Sequence, residues 1–265
     1  MNPLIALFSS SLGKKYLMAV TGAVLALFVL GHMVGNLQLF LDPYYINAYA
    51  YKLQHLPYGL LWVIRLVMLT TVVVHIWVSA VLTLENMRAR PHEYEVKATV
   101  KATYASRTMR VSGVIVFLFL VFHLAHFTVR NVPGHEYGEA IKVASGEVYA
   151  AEIVLKKPES QGGAALKTAT GEDKIGHDVH TMIIAGFQIW WISAFYLLAV
   201  FLLSRHLSHG VSSMFQSLGL RNSGFRGALD LVAAAYGWVV FLGYASIPAG
   251  VLLGLVKVQG ILIGG

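Results

Sequence analysis

The chain has 265 residues, 57% of them hydrophobic and only 12% charged, with a mean hydropathy of +0.65, which excludes an ordinary soluble domain and puts an integral membrane protein first. It contains no cysteine, so disulfides, thiolate metal sites, covalently attached c-type haem and iron–sulfur clusters are excluded from this chain. The formal charge of +7 does not read as a nucleic-acid footprint, because the basic residues cluster beside apolar runs, where membrane topology accounts for them.

In chain order, five runs are long and apolar enough to cross a bilayer: 16–41, 60–84, 111–129, 182–203 and 231–256. The expected fold class is an all-α integral membrane protein, a single bundle of five transmembrane helices over residues 1–265. The first run follows Lys14 and Lys15, is too long for a signal-peptide core and lacks a small-residue cleavage site, so it is expected to remain as a span. Arg65 interrupts the second. Between the second and third lie Arg88, Arg90, Lys97, Lys101, Arg107 and Arg110, and after the fourth come Arg205, Arg221 and Arg226. The positive-inside rule makes these segments cytoplasmic, with the N-terminus inside and the C-terminus outside. The segment 130–181 is then an outer polar loop. Its stretch 130–178 carries six basic and eight acidic residues, and a hairpin is expected around "EVYAAEIVLKK". No long internal repeat and no low-complexity tract is read from the sequence.

Four of the five runs contain or end on histidine: His32, His75, His123 with His126, and His206 with His209. Ionisable residues within spans are costly and mark function by default. Measured from the outer ends, His32 lies ten residues before Asp42 and His123 ten before Pro133, both about 15 Å in at the helical rise. His75 lies 18 residues after Pro57 and His206 lies 24 after Met182, roughly 27 to 36 Å in by the same rise. Two levels with two imidazoles each match the needs of two six-coordinate b-type haems, each iron held between facing helices. Spacing does not separate His123 from His126, or His206 from His209, since three positions amount to about 4.5 Å along the axis and 60° around it.

Gly31 and Gly35 bracket His32 as a small-xxx-small face that would admit a macrocycle or a neighbouring helix. Arg65, at about the depth of His32 and His123, is expected to pair with propionates of the outer haem. The alternative is snorkelling towards the headgroups.

The segments "TGAVLALFVLGHMVGNL", "VVVHIWVSAVLTLENMRARPHEY", "YASRTMRVSGVIVFLFLVFHLAHFT" and "FYLLAVFLLSRHLSHGVSSMFQSLGL" resemble the single-chain cytochrome b membrane anchor of succinate dehydrogenase and fumarate reductase (succinate:quinone oxidoreductases), in the dihaem b558 type with five spans. The resemblance runs from about Ser9 to the end of the fifth run and is weakest over the outer loop. It implies haem iron ligands at His32 and His123 for an outer haem b, and at His75 and His206 for an inner one, so that the first histidine of "FHLAHF" and of "HLSHG" is the ligand. It further implies partners: a flavoprotein subunit that oxidises succinate, an iron–sulfur subunit docked on the basic inner surface, membrane lipid, and a quinone, expected to be menaquinone. The expected location is a bacterial cytoplasmic membrane, and no catalytic residue for succinate is expected in this chain. For the quinone, His180, Tyr137 and Arg65 favour an outer site, while His209, Arg205 and Ser213 could serve an inner one.

Two other readings compete. A dihaem anchor of formate dehydrogenase or hydrogenase uses the same ligation, but "NMRARPHEY" and "HLSHGVSSMFQSLG" resemble the succinate family. A haem-free anchor or transporter would leave the histidines as ion ligands or interhelical bonds, and the sequence shows no pair of interrupted helices of the transporter kind.

Overall fold

The computed structural model describes residues 8–89, 104–129, 152–154, 160 and 175–257. They form α1 (Ser11–Leu37), α2 (Pro43–Gln54), α3 (Leu60–Arg88), α4 (Tyr104–His123), α5 (Val179–Gln188), α6 (Trp190–Ser217) and α7 (Arg226–Leu252), with β1 (Glu152–Val154) and β2 (Ile175–His177). Five stretches are long and apolar enough to cross a membrane: Ser11–Phe40, Pro57–Arg88, Met109–Val129, Trp190–Ser217 and Arg226–Leu252. Large apolar side chains stand exposed along them, among them Leu27, Trp62, Leu118, Leu198 and Leu242. Helices that satisfy their own backbone and turn leucines outward are what a hydrocarbon solvent selects.

Local signals fix the ends. The Ser10 hydroxyl accepts from the Gly13 N–H at 3.0 Å at the start of α1. Asp42 caps α2, accepting from the Tyr44 N–H at 2.9 Å, with Pro43 at the first helical position. Left-handed glycines end α6 and α7: Gly219 (φ 72°) lets the Leu220 N–H reach the Phe215 carbonyl at 2.9 Å, and Gly254 (φ 69°) lets the Leu255 N–H reach Gly250 at 2.8 Å.

The fourth apolar run departs from the sequence expectation. Residues 182–188 belong to the separate helix α5, and the chain breaks at Ile189, whose backbone is extended (ψ 105°). The Ser193 hydroxyl donates to the Phe187 carbonyl at 2.6 Å, answering an acceptor the break leaves open. Within "EVYAAEIVLKK" residues 152–154 form β1, which pairs antiparallel with β2, Glu152 opposite His177, and the rest of the expected hairpin lies outside the described residues. α2 was not anticipated at all.

The described residues sort into two compact units, drawn from Met1–Gly31, Trp62–Gly113 and Leu202–Val240 in the first and from His32–Leu61, Val114–Phe201 and Phe241–Gly265 in the second. In the first, buried Lys14 pairs with Glu85, and the Tyr236 hydroxyl donates to the Ala26 carbonyl at 2.6 Å. Arg221 donates to both oxygens of Asp230 at 2.7 and 2.6 Å, and the Ser212 hydroxyl joins them at 2.6 Å. In the second, Leu39, Ile46, Ile183, Ile184, Phe187 and Ile192 form the centre of an apolar core. There α2 packs against β2 and α5. Fully buried Asn47 ties α2 to α5, donating to the Asp178 carboxylate at 3.2 Å and accepting from the His180 N–H at 3.0 Å.

The sequence paired Gly31 with Gly35, yet the structure separates their roles. A Cβ on Gly35 would come within 2.9 Å of the Tyr49 ring, while one on Gly31 would meet nothing within 4 Å. The tightest backbone approach is at Gly237, where a Cβ would lie 2.7 Å from the Ser204 carbonyl oxygen and closer still to Ser208. Gly237→Ala should therefore cost about 1–3 kcal/mol through overpacking, and Gly31→Ala nothing by the same mechanism. Equilibrium unfolding of the two variants in detergent checks this.

Candidate functional site

The first unit brings His75 and His206 together with one hydroxyl each. His75 stands fifteen residues into α3, its Nδ1 3.0 Å from the Thr21 hydroxyl of α1. His206 stands sixteen residues into α6, its Nδ1 3.3 Å from the Ser112 hydroxyl of α4. Counted from the first residues of α3 and α6 the two imidazoles lie fifteen and sixteen residues in, closer than the 18 and 24 residues counted along the sequence. The surroundings match in detail as well. A Cβ on Gly22 would lie 3.5 Å from His75 Cε1, and a Cβ on Gly113 would lie 3.5 Å from His206 Cε1. The two imidazoles are near enough to act on each other electrostatically.

The second unit brings His32 and His123 together, their ring centroids 5.9 Å apart and their planes at 81°. The Tyr196 phenol lies 3.3 Å from His123 Nδ1, and the Phe119 and Phe127 rings are 5.9 and 5.7 Å from His123, so the pair has an aromatic wall. Tyr244 stands 6.2 Å from His32 on another side.

A ring separation of this size tests the fit of a haem iron. Metal–imidazole bonds are about 2 Å long, and an imidazole nitrogen is about 1 Å from its ring centre, so two axial imidazoles on one iron have centres roughly 6 Å apart. His32 and His123 fit that figure. Among the described residues no three His, Asp or Glu side chains gather as an ion cluster, whereas an axially ligated iron requires only two from the protein.

The neighbouring histidines take other roles. His126 is fully buried on a π-helical turn, Leu124–Val129, that starts directly after His123. Its Nδ1 is 3.0 Å from the Tyr196 hydroxyl, and a Cβ on Gly186 would lie 3.0 Å from its ring, so it is wedged against α5. π-turns of this kind recur at functional sites. His209 lies within electrostatic reach of Arg221, and nearby Ser213 donates to its own helix at the Gly210 carbonyl. Arg65 is exposed on α3, its guanidinium 4.8 Å from the centre of the Trp62 ring, the posture of a cation at an apolar boundary. Tyr137 lies outside the described residues.

Thr21, Ser112 and Tyr196 are site residues that the sequence reading missed. A signal for two of them was present. Thr21-Gly22 precedes His32 by eleven and ten residues, and Ser112-Gly113 precedes His123 by the same intervals, a short internal repeat of α1 in α4.

His180, at the start of α5, is buried, and burial holds its imidazole below the ordinary value, with Asp178 and Asp42 pulling the other way. It folds neutral, so the unfolded state binds more protons below about pH 6.5, and local stability falls as pH drops through that range. Amide protection of residues 179–188, corrected for intrinsic exchange, should weaken between about pH 7.5 and pH 5, and His180→Gln should flatten the profile.

No family model, curated protein or solved structure matches the chain.

Proposed function

We propose that the chain is the membrane anchor and electron-transfer subunit of a succinate:quinone oxidoreductase, a dihaem cytochrome b. The observation that carries the dihaem part is the 5.9 Å separation of the His32 and His123 rings, joined by a second pair, His75 and His206, in matched surroundings. His32 and His123 would hold one haem b and His75 and His206 the other. Haem b held in this way supplies a one-electron relay between an iron–sulfur partner and a membrane quinone. The helices would contribute imidazole nitrogens, an apolar shell and orientation of each imidazole. The resemblance of the α3 and α6 segments to the succinate family supports the choice of dehydrogenase, with a flavoprotein and an iron–sulfur subunit as partners.

Lys14, Lys15, Arg88, Arg110, Arg205, Arg221 and Arg226 all fall in the unit that carries His75 and His206, and Arg65, expected at the level of His32 and His123, falls there too. That grouping supports a cytoplasmic N-terminus, with the iron–sulfur partner on the basic side, and the resemblance adds a bacterial inner membrane. Exposed Lys15, Arg88 and Arg110 are available for docking, whereas Arg221 and Arg226 pair with Asp230 and Lys14 with Glu85.

The complex should purify with succinate dehydrogenase activity and two b haems per copy of this chain, counted from the reduced-minus-oxidised spectrum. His32→Ala and His123→Ala should each lose the same haem, His75→Ala and His206→Ala the other, and His209→Ala neither. Co-purification of a nickel or molybdenum subunit would assign the chain to another dehydrogenase. A folded complex without haem would sink the electron-transfer reading.

A further inference from the structure

We propose that Thr21 and Ser112 are paired positioning residues that fix the tautomer of His75 and of His206, so that Nε2 is the nitrogen offered to iron. The inference rests on the dihaem reading and adds a role for two hydroxyls that the ligand set does not include. A hydroxyl has one proton to give. Thr21 Oγ1 lies 2.7 Å from the Leu17 carbonyl and 3.2 Å from the Met18 carbonyl, and both of these can only accept. Its proton therefore points back into α1, and the side of the oxygen facing His75 presents lone pairs. At 3.0 Å, His75 Nδ1 must be the donor. A neutral imidazole has a single N–H, so its Nε2 is left with a free lone pair.

Ser112 repeats the logic in α4. Its hydroxyl lies 3.0 Å from the Met109 carbonyl and 3.3 Å from His206 Nδ1. Thr21 and Ser112 are both buried residues, at 9% and 5% exposure, which limits competition by water for their hydroxyl protons. The reverse assignment, with each hydroxyl donating to Nδ1, would leave Thr21 Oγ1 facing a carbonyl oxygen at 2.7 Å with no hydrogen between them. The same device occurs twice, each time as hydroxyl-then-glycine and each time with a glycine on which a Cβ would lie 3.5 Å from the same imidazole carbon. One occurrence could be ordinary back-bonding of a helical Ser or Thr. Two, each against a histidine of one proposed pair, point to a built feature.

An acceptor on Nδ1–H makes Nε2 a stronger donor and holds the ring plane still. Ferric iron gains more from a stronger donor than ferrous iron, so the hydroxyls hold the potential of the His75–His206 haem down. The test uses the purified complex with Thr21→Val, Ser112→Ala and the conservative Thr21→Ser, in an optical redox titration beside competition for haem with an apoprotein of known affinity. Thr21→Val and Ser112→Ala should each move one of the two potentials positive, the same one in both, and lower the affinity for that haem by about 10- to 100-fold. The other haem serves as the internal reference, and Thr21→Ser should restore both readouts. Wild-type values in both variants, equal movement of both potentials, or failure of Thr21→Ser to restore them would overturn the proposal. Should Thr21→Val not fold, Ser112→Ala poses the same question from the other helix. A wild-type complex holding two haems with unresponsive variants sinks this inference alone, and a wild-type complex without haem sinks the dihaem reading with it.

Discussion

A neutral imidazole placed among helices that turn their leucines outward has two nitrogens to satisfy and no water to satisfy them. The helices around each pair are arranged under that constraint. His75 and His206 set their Nδ1 against hydroxyls of other helices, and His123 sets its Nδ1 3.3 Å from a phenol oxygen. The Lys14–Glu85 pair shows the same economy at the end of the first unit, where a buried ammonium is tolerated only with its carboxylate beside it.

The second unit solves a related problem with a different residue. Tyr196 lies within reach of both His123 and His126, and its single proton can serve only one of them. The π-turn after His123 and the missing side chain at Gly186 make room for the second imidazole. A fully buried histidine beside a metal-ligand candidate is thus accommodated by backbone geometry as much as by hydrogen bonding. The α2–α5 contact through Asn47 belongs to the same unit and fixes the start of α5.

Hydropathy located the five spans because runs of that length have no other common explanation. It misplaced the start of the fourth because residues 182–189 are as apolar as those that follow. The break rests on one extended residue and one serine, Ile189 and Ser193, which leave no mark on a hydropathy average. α2 escaped notice because it is short and sits in a polar connection, and the partner of β1 escaped because strand pairing across more than twenty residues has no local signature. The juxtaposition of His32 with His123 was legible from distances to helix ends, since helical rise is nearly constant. The hydroxyls were not, because a threonine or serine in an apolar helix looks the same whether it back-bonds, packs or orients a neighbour.

The recurrence of Thr21-Gly22 to His32 in Ser112-Gly113 to His123 bears on symmetry. His32 and His123 come from equivalent positions of α1 and α4, and His75 and His206 from nearly equivalent depths of α3 and α6. Each pair therefore draws one member from each of two stretches of like order in the chain, α1 to α3 and α4 to α6. Both stretches lie in one chain, which frees the copies from having to remain identical. Only one of them carries the phenol, the π-turn and the second histidine, so two sites of common plan can be given different surroundings without a second gene product.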